Sequence, residues 1–269
     1  MNIKKIISTF DQHVDQNENK SFGRRDFFKS AGSFGKQAAM VAAPAIILAL
    51  LPKAAFAKTA TIPEVLNFAL TLEYLEDEFY KAALAASGLI PESDRAIFMQ
   101  ISKHESAHVA FLKTALGTSA IAKPTFDFTA GGTFPDALTN YTTFLALSQS
   151  FEDTGVRAYK GQAGNLISDN GTLKAALQIH SVEARHASEV RRLRGANSGM
   201  TIKGWITGDQ SNGAPAAIYA GEDNQTQGTA NLASLSSLSS ISADAKTEAF
   251  DEALTKEQVL AIVTPFVKS

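Results

Sequence analysis

Glu105-Ser106-Ala107-His108 and Glu183-Ala184-Arg185-His186 are two copies of one pattern, a glutamate followed by a histidine three residues later. On a helix that spacing puts both side chains on one face, a turn apart. Each copy therefore offers a carboxylate and an imidazole to the same interior point. Around the first copy, Ile101, Leu112 and, more loosely, Val109 share the face. A charged face that is also apolar is costly unless the charges are paired or bound to a metal.

The segment before each copy also carries a matching pair. Glu73 is followed two helical turns later by Tyr80, and Glu152 by Tyr159. Thr61-Ile62-Pro63-Glu64 is a helix start with a capping threonine, an early proline and a returning glutamate. The apolar spacing predicts a first helix from there to about Ser87 and a second over about Pro91–Leu116, stopped at Gly117. Thr118–Pro135, with its Lys123-Pro124 and Gly131-Gly132, reads as a long extended connection. A third helix is expected over about Pro135–Leu166, a turn at Asp169-Asn170-Gly171, and a fourth over about Thr172–Arg194. Two short-looped helix pairs joined by a long crossover make an all-α, four-helix bundle. The Ser-, Gly- and Asn-rich tail from 197 to 269 reads as an extension packed on that bundle. Its stretch from Gln225 to Ser242 is expected to be irregular, and a capping box at Thr255–Gln258 opens a short terminal helix.

Four glutamates (Glu73, Glu105, Glu152, Glu183) and two histidines (His108, His186) thus converge from four helices. This is the ligand set of carboxylate-bridged two-metal bundles. Two divalent ions about 3.5–4 Å apart need bridging and neutralisation, which four carboxylates supply. Hard oxygen donors with imidazole suit iron or manganese. The chain has 269 residues, 25 Lys+Arg, 27 Asp+Glu, five His and no Cys. The missing cysteine excludes disulfides, thiolate zinc, iron–sulfur clusters and a Cys nucleophile. The charge balance gives no reason to expect nucleic acid as a partner.

The first 57 residues read as an address. Gly23-Arg24-Arg25-Asp26-Phe27-Phe28-Lys29 carries paired arginines before an apolar run, Ala38–Leu51, broken by Pro44. That run is shorter than the roughly 18–20 residues a spanning helix needs. Ala55-Phe56-Ala57 is a small-x-small cleavage signal, leaving Lys58 as the mature N-terminus. The segment closely resembles a twin-arginine signal, which implies the twin-arginine translocase as an export partner and the periplasm or cell envelope as the destination. Removing it leaves a more acidic remainder.

Leu66–Tyr80, Phe151–Tyr159 and Val182–Ala187 resemble the first, third and fourth helices of the exported ferritin-like domain proteins. The resemblance covers about 61–196. It implies a ferritin-like bundle at 58–196 and a site for two iron or manganese ions. Relatives include plant desiccation-related proteins, and the wider superfamily includes ferritins, rubrerythrins and manganese catalases. The expected activity is redox chemistry on dioxygen, peroxide or ferrous iron, ferroxidase-like or catalase-like. The alternative is a metal-binding envelope protein for stress or desiccation, without turnover. A homo-oligomer is compatible with either.

Four further residues are candidates to support the ligands. Glu76 lies one turn beyond Glu73 and is an alternative ligand, but the tyrosine spacing favours Glu73. Tyr80 and Tyr159 are placed to hydrogen-bond ligand carboxylates, and His180 to orient a ligand. His104 adjoins Glu105 on a different face and is not expected to be a ligand.

Overall fold

A computed structural model describes residues 60–268. The twin arginines, the apolar run, the cleavage signal and His13 lie outside the described residues. Four long helices dominate: α1 (Ile62–Ala85), α2 (Glu92–Leu116), α3 (Tyr141–Ala163) and α4 (Asn170–Ser198). Among the described residues no helix is long and apolar enough to cross a membrane.

Local chemistry sets the helix ends. The Thr61 side chain accepts from the Glu64 amide while Glu64 reaches back to the Thr61 amide, so α1 opens on a full capping box. α3 starts later than the apolar pattern indicates. Residues 134–139 fold into turns, with the Thr139 and Asn140 amides donating to Asp136 O, and Asn140 then caps the helix through Thr142 and Thr143. Ala137 is buried in those turns, which explains why the stretch looked helical from its apolar content. α4 runs past Arg194 to Ser198 and stops where Gly199 turns left-handed at φ 69°.

α1 packs on α2 and α3 on α4, and the crossover joins the two pairs. The core has two apolar parts. One contains Phe79, Phe98, Phe144 and Phe151, whose rings contact Phe79 or Phe144 at centroid distances of 4.8–5.2 Å. The other contains Leu66, Leu70, Leu112, Leu166 and Ile179. On every helix a glutamate falls between residues of these two parts: Glu73, Glu105, Glu152 and Glu183.

The tail is more ordered than its composition suggests. It holds a small antiparallel pair, β1 (Thr226–Gln227) and β2 (Ala230–Asn231), then α5 (Ala243–Thr247) and α6 (Lys256–Val263). Thr255 and Gln258 form the expected capping box of α6. Buried arginines of α3 and α4 bind it. Arg157 donates from Nε to Glu252 O at 2.8 Å and from Nη2 to Ala220 O at 2.7 Å, and pairs with Glu222 at 2.7 Å. Arg191 grips Asp153 with two nitrogens, at 3.0 and 2.6 Å, while the Tyr219 hydroxyl donates to the same carboxylate. Arg194 joins Gln149 of α3 to Asn212 O of the tail. The last residues pair with the crossover: the Asp127 amide donates to Phe266 O, and that of Lys268 to Thr125 O.

Gly161 marks where the tail crosses α3. A Cβ there would stand 2.0 Å from Leu254 O, so only glycine allows the approach. On a free helix Gly→Ala is worth up to about 1 kcal/mol of stability. Gly161→Ala is expected instead to cost about 1–3 kcal/mol, because one backbone has to move off the other. Chemical denaturation reads the sign directly, and a raised midpoint would show that the tail does not rest on this helix.

Candidate metal centre

The central carboxylate layer is fully enclosed. Glu73, Glu105, Glu152 and Glu183 have no exposed surface, and His186 is nearly as buried. Two sets of four residues bring their donor atoms within 4.8 Å of one another. One is Glu73, Glu105, His108 and Glu183; the other is Glu105, Glu152, Glu183 and His186. Glu105 and Glu183 belong to both. All six residues expected to converge do so, and the two glutamates of the Glu-x-x-His copies occupy the shared middle.

The contacts around each imidazole are more numerous than a proton can serve. His108 Nδ1 lies 3.1 Å from Glu73, 3.1 Å from Glu105 and 3.0 Å from Glu183. His186 Nδ1 lies 2.9 Å from Glu105, 3.3 Å from Glu152 and 3.7 Å from Glu183. One N–H has one direction, so it cannot satisfy three carboxylates. Accordingly, Glu105 Oε1, Glu152 Oε2, both oxygens of Glu183 and His186 Nδ1 are buried without a hydrogen bond. Such orphaned atoms are rare in folded proteins. Here they are five hard donors around one small volume, and they fit divalent cations.

The outer partners are crossed between helix pairs. Tyr80 of α1 donates to Glu152 of α3 at 2.5 Å, and Tyr159 of α3 donates to Glu73 of α1. Each tyrosine thus holds the terminal carboxylate of the other pair and turns its second oxygen inward. This arrangement matches Glu73 with Glu152. Glu76 is also buried and faces the same layer. His180 does not serve a ligand as expected: its Nδ1 lies 3.0 Å from the backbone oxygen of Val156.

His104 belongs to neither set but touches one of their members. Its Nδ1 lies 2.8 Å from His186 Nε2, and its Nε2 lies 2.7 Å from Gln100. It backs the outward nitrogen of His186, leaving Nδ1 to the centre. The signal was hidden because the contact joins α2 to α4 and depends on their relative register. A groove of about 460 Å³ opens on this side, lined by Ile97, Gln100, His104, Arg185 and His186 among others.

Electrostatics follow from burial. Burial, then the charge of Glu183, pushes Glu73 well above the usual carboxylate range. Burial also raises Glu152 to about 8, against the opposing pull of His186. For His108 burial opposes charge, but hydrogen bonds to Glu105, Glu183 and Glu73 outweigh it and raise the imidazole to about 12. His186 is raised in the same way, with Glu152 the leading attraction against burial. Glu183, which burial alone would raise, is held at about 2 by the two imidazoles beside it, His108 and His186. Without a cation the layer therefore keeps protons on both imidazoles.

The family model of the ferritin-like domain matches residues 61–196, half of the chain. Among curated proteins none matches the sequence.

A metal and these protons compete for the same nitrogens. Metal uptake near neutral pH is expected to release the protons of His108 and His186, and affinity should fall as pH falls. Calorimetric titration with Mn²⁺ in two buffers of different ionisation heat measures the release. Identical heats in both buffers would mean that the metal-free centre does not hold these protons.

Proposed function

The chain belongs to the ferritin-like family, and on that premise we propose that it holds two iron or manganese ions for redox chemistry on dioxygen, peroxide or ferrous iron. The observation that carries this reading is the sharing of Glu105 and Glu183 between two four-residue sets, in which Glu105 Oε1, Glu152 Oε2 and both oxygens of Glu183 are buried without a hydrogen bond. Glu73 and His108 would complete one set, Glu152 and His186 the other. A bound pair supplies two adjacent one-electron redox centres with room for a small oxidant.

The protein's own part is binding, orientation and exclusion. Glu105 and Glu183, projecting from opposite helix pairs, set the separation of the two positions. Tyr80 and Tyr159 fix the rotamers of the terminal carboxylates through their hydroxyls. His104 holds the His186 ring from behind, and Gln100 holds His104. The two apolar parts of the core keep bulk water from both ends, which strengthens every charge interaction between them. The groove at His104 and His186 gives a small molecule a side approach.

The export reading joins this one. A twin-arginine address, with the translocase as partner and the periplasm or envelope as destination, suits a protein that folds around metal before leaving the cytoplasm.

Elemental analysis of the mature protein purified from its native envelope tests the proposal. We expect about two equivalents of iron or manganese per chain. Manganese would direct the assay to peroxide consumption; iron would direct it to ferrous oxidation and dioxygen uptake. The double variant Glu105→Ala with His186→Ala should lose both metal and turnover. Metal without turnover in the wild type would favour the stress or desiccation role, and a folded protein without metal would overturn the redox reading.

A further inference from the structure

The two helix pairs are related at the centre, and one departure from that relation falls within the carboxylate layer. Glu73 matches Glu152, and Tyr80 matches Tyr159. One turn after Glu73, on the same face, stands Glu76; one turn after Glu152 stands Gly155. The first pair has an additional carboxylate where the second has no side chain at all.

The two differences fit each other. A Cβ on Gly155 would lie 3.2 Å from Glu76 Oε1 and 3.8 Å from Glu183 Oε2. Glu76 therefore reaches from α1 across to α3, into the space that Gly155 leaves, and ends beside the shared carboxylate Glu183. Glu183 offers both oxygens there without a hydrogen bond. Gly155 is an ordinary helical residue with no positive φ, so its backbone does not require glycine. A side chain there would instead press on the end of Glu76.

We propose that Glu76 is a fifth carboxylate ligand of the centre, admitted by Gly155, which makes the two metal positions unequal. The inference rests on the two-metal reading above. Its chemistry is that of a hard anionic oxygen, which strengthens binding of a cation and raises its coordination number on the Glu76 side. The net charge of the ligand set becomes more negative than four carboxylates give, which favours the higher oxidation state of iron or manganese.

Titration of the metal-free protein with Co²⁺, followed by its visible absorption, tests this without reference to activity. The wild type is expected to take two ions. Glu76→Gln should weaken one of them by about ten-fold or more and intensify the visible band, as happens when cobalt loses a ligand. Gly155→Ala should move the band in the same direction, because its methyl displaces the flexible end of Glu76 while the helix stays intact. Two ions with the same affinity and band in Glu76→Gln as in the wild type would overturn the inference and leave the two-metal reading standing. A changed melting temperature with an unchanged band would also overturn it, by reducing Glu76 to a packing role. A wild type that takes no cobalt, manganese or iron would overturn the two-metal reading itself, and this inference with it.

Discussion

Negative charge enclosed in the middle of a helical bundle has to be neutralised. Four glutamates with no exposed surface would unfold the chain if left bare, since removing one partner of a buried pair alone costs about 3–5 kcal/mol. Much of the architecture answers that requirement. Histidines approach at three residues from two of the glutamates, tyrosines cross over to the other two, and aromatic and aliphatic packing closes both ends. Neutralisation by protons on the imidazoles leaves oxygens orphaned; neutralisation by cations does not.

A second buried charge layer lies outside the first, and it binds the tail. Asp153 sits next to Glu152 in sequence but points to the opposite side, where Arg191 and Tyr219 hold it. Arg157 and Arg194 likewise reach outward from the bundle helices to backbone oxygens of the tail. α3 is consequently buried on nearly all sides. One side carries the centre and the other carries its covering, so strain in the tail and geometry at Glu152 share a single rigid element.

The sequence made the centre legible because its parts are local. Glu105 with His108, Glu183 with His186, and each glutamate with its tyrosine are fixed by helical spacing, as were the capping boxes at Thr61 and Thr255. What depends on how helices face each other was not legible in the same way. The crossing of Tyr80 to Glu152 requires the register of α1 against α3. The contact of His104 with His186 requires that of α2 against α4, so helical spacing alone gave it no role. The tail was the least legible part. Its anchoring uses backbone oxygens at 218, 220 and 252, which carry no residue signature. Gly161 looked like any helical glycine, although Leu254 dictates it. The start of α3 was misplaced because Phe134, Ala137 and Leu138 of the turns at 134–139 pack on the core as apolar helical residues would.

The clasp between the crossover and the final residues sets an order of assembly. The Asp127 amide donates to Phe266 O, and Thr125 O accepts from the Lys268 amide. A chain emerging from the ribosome N-terminus first can pair its helices early, since those contacts are comparatively local. It cannot close the crossover until Phe266 and Lys268 have been made. The outer arginines of α3 and α4 likewise wait for tail residues that are synthesised after them. Truncation ahead of residue 212 would leave Arg157 and Arg194 without the tail oxygens they reach and the crossover without its backbone partners.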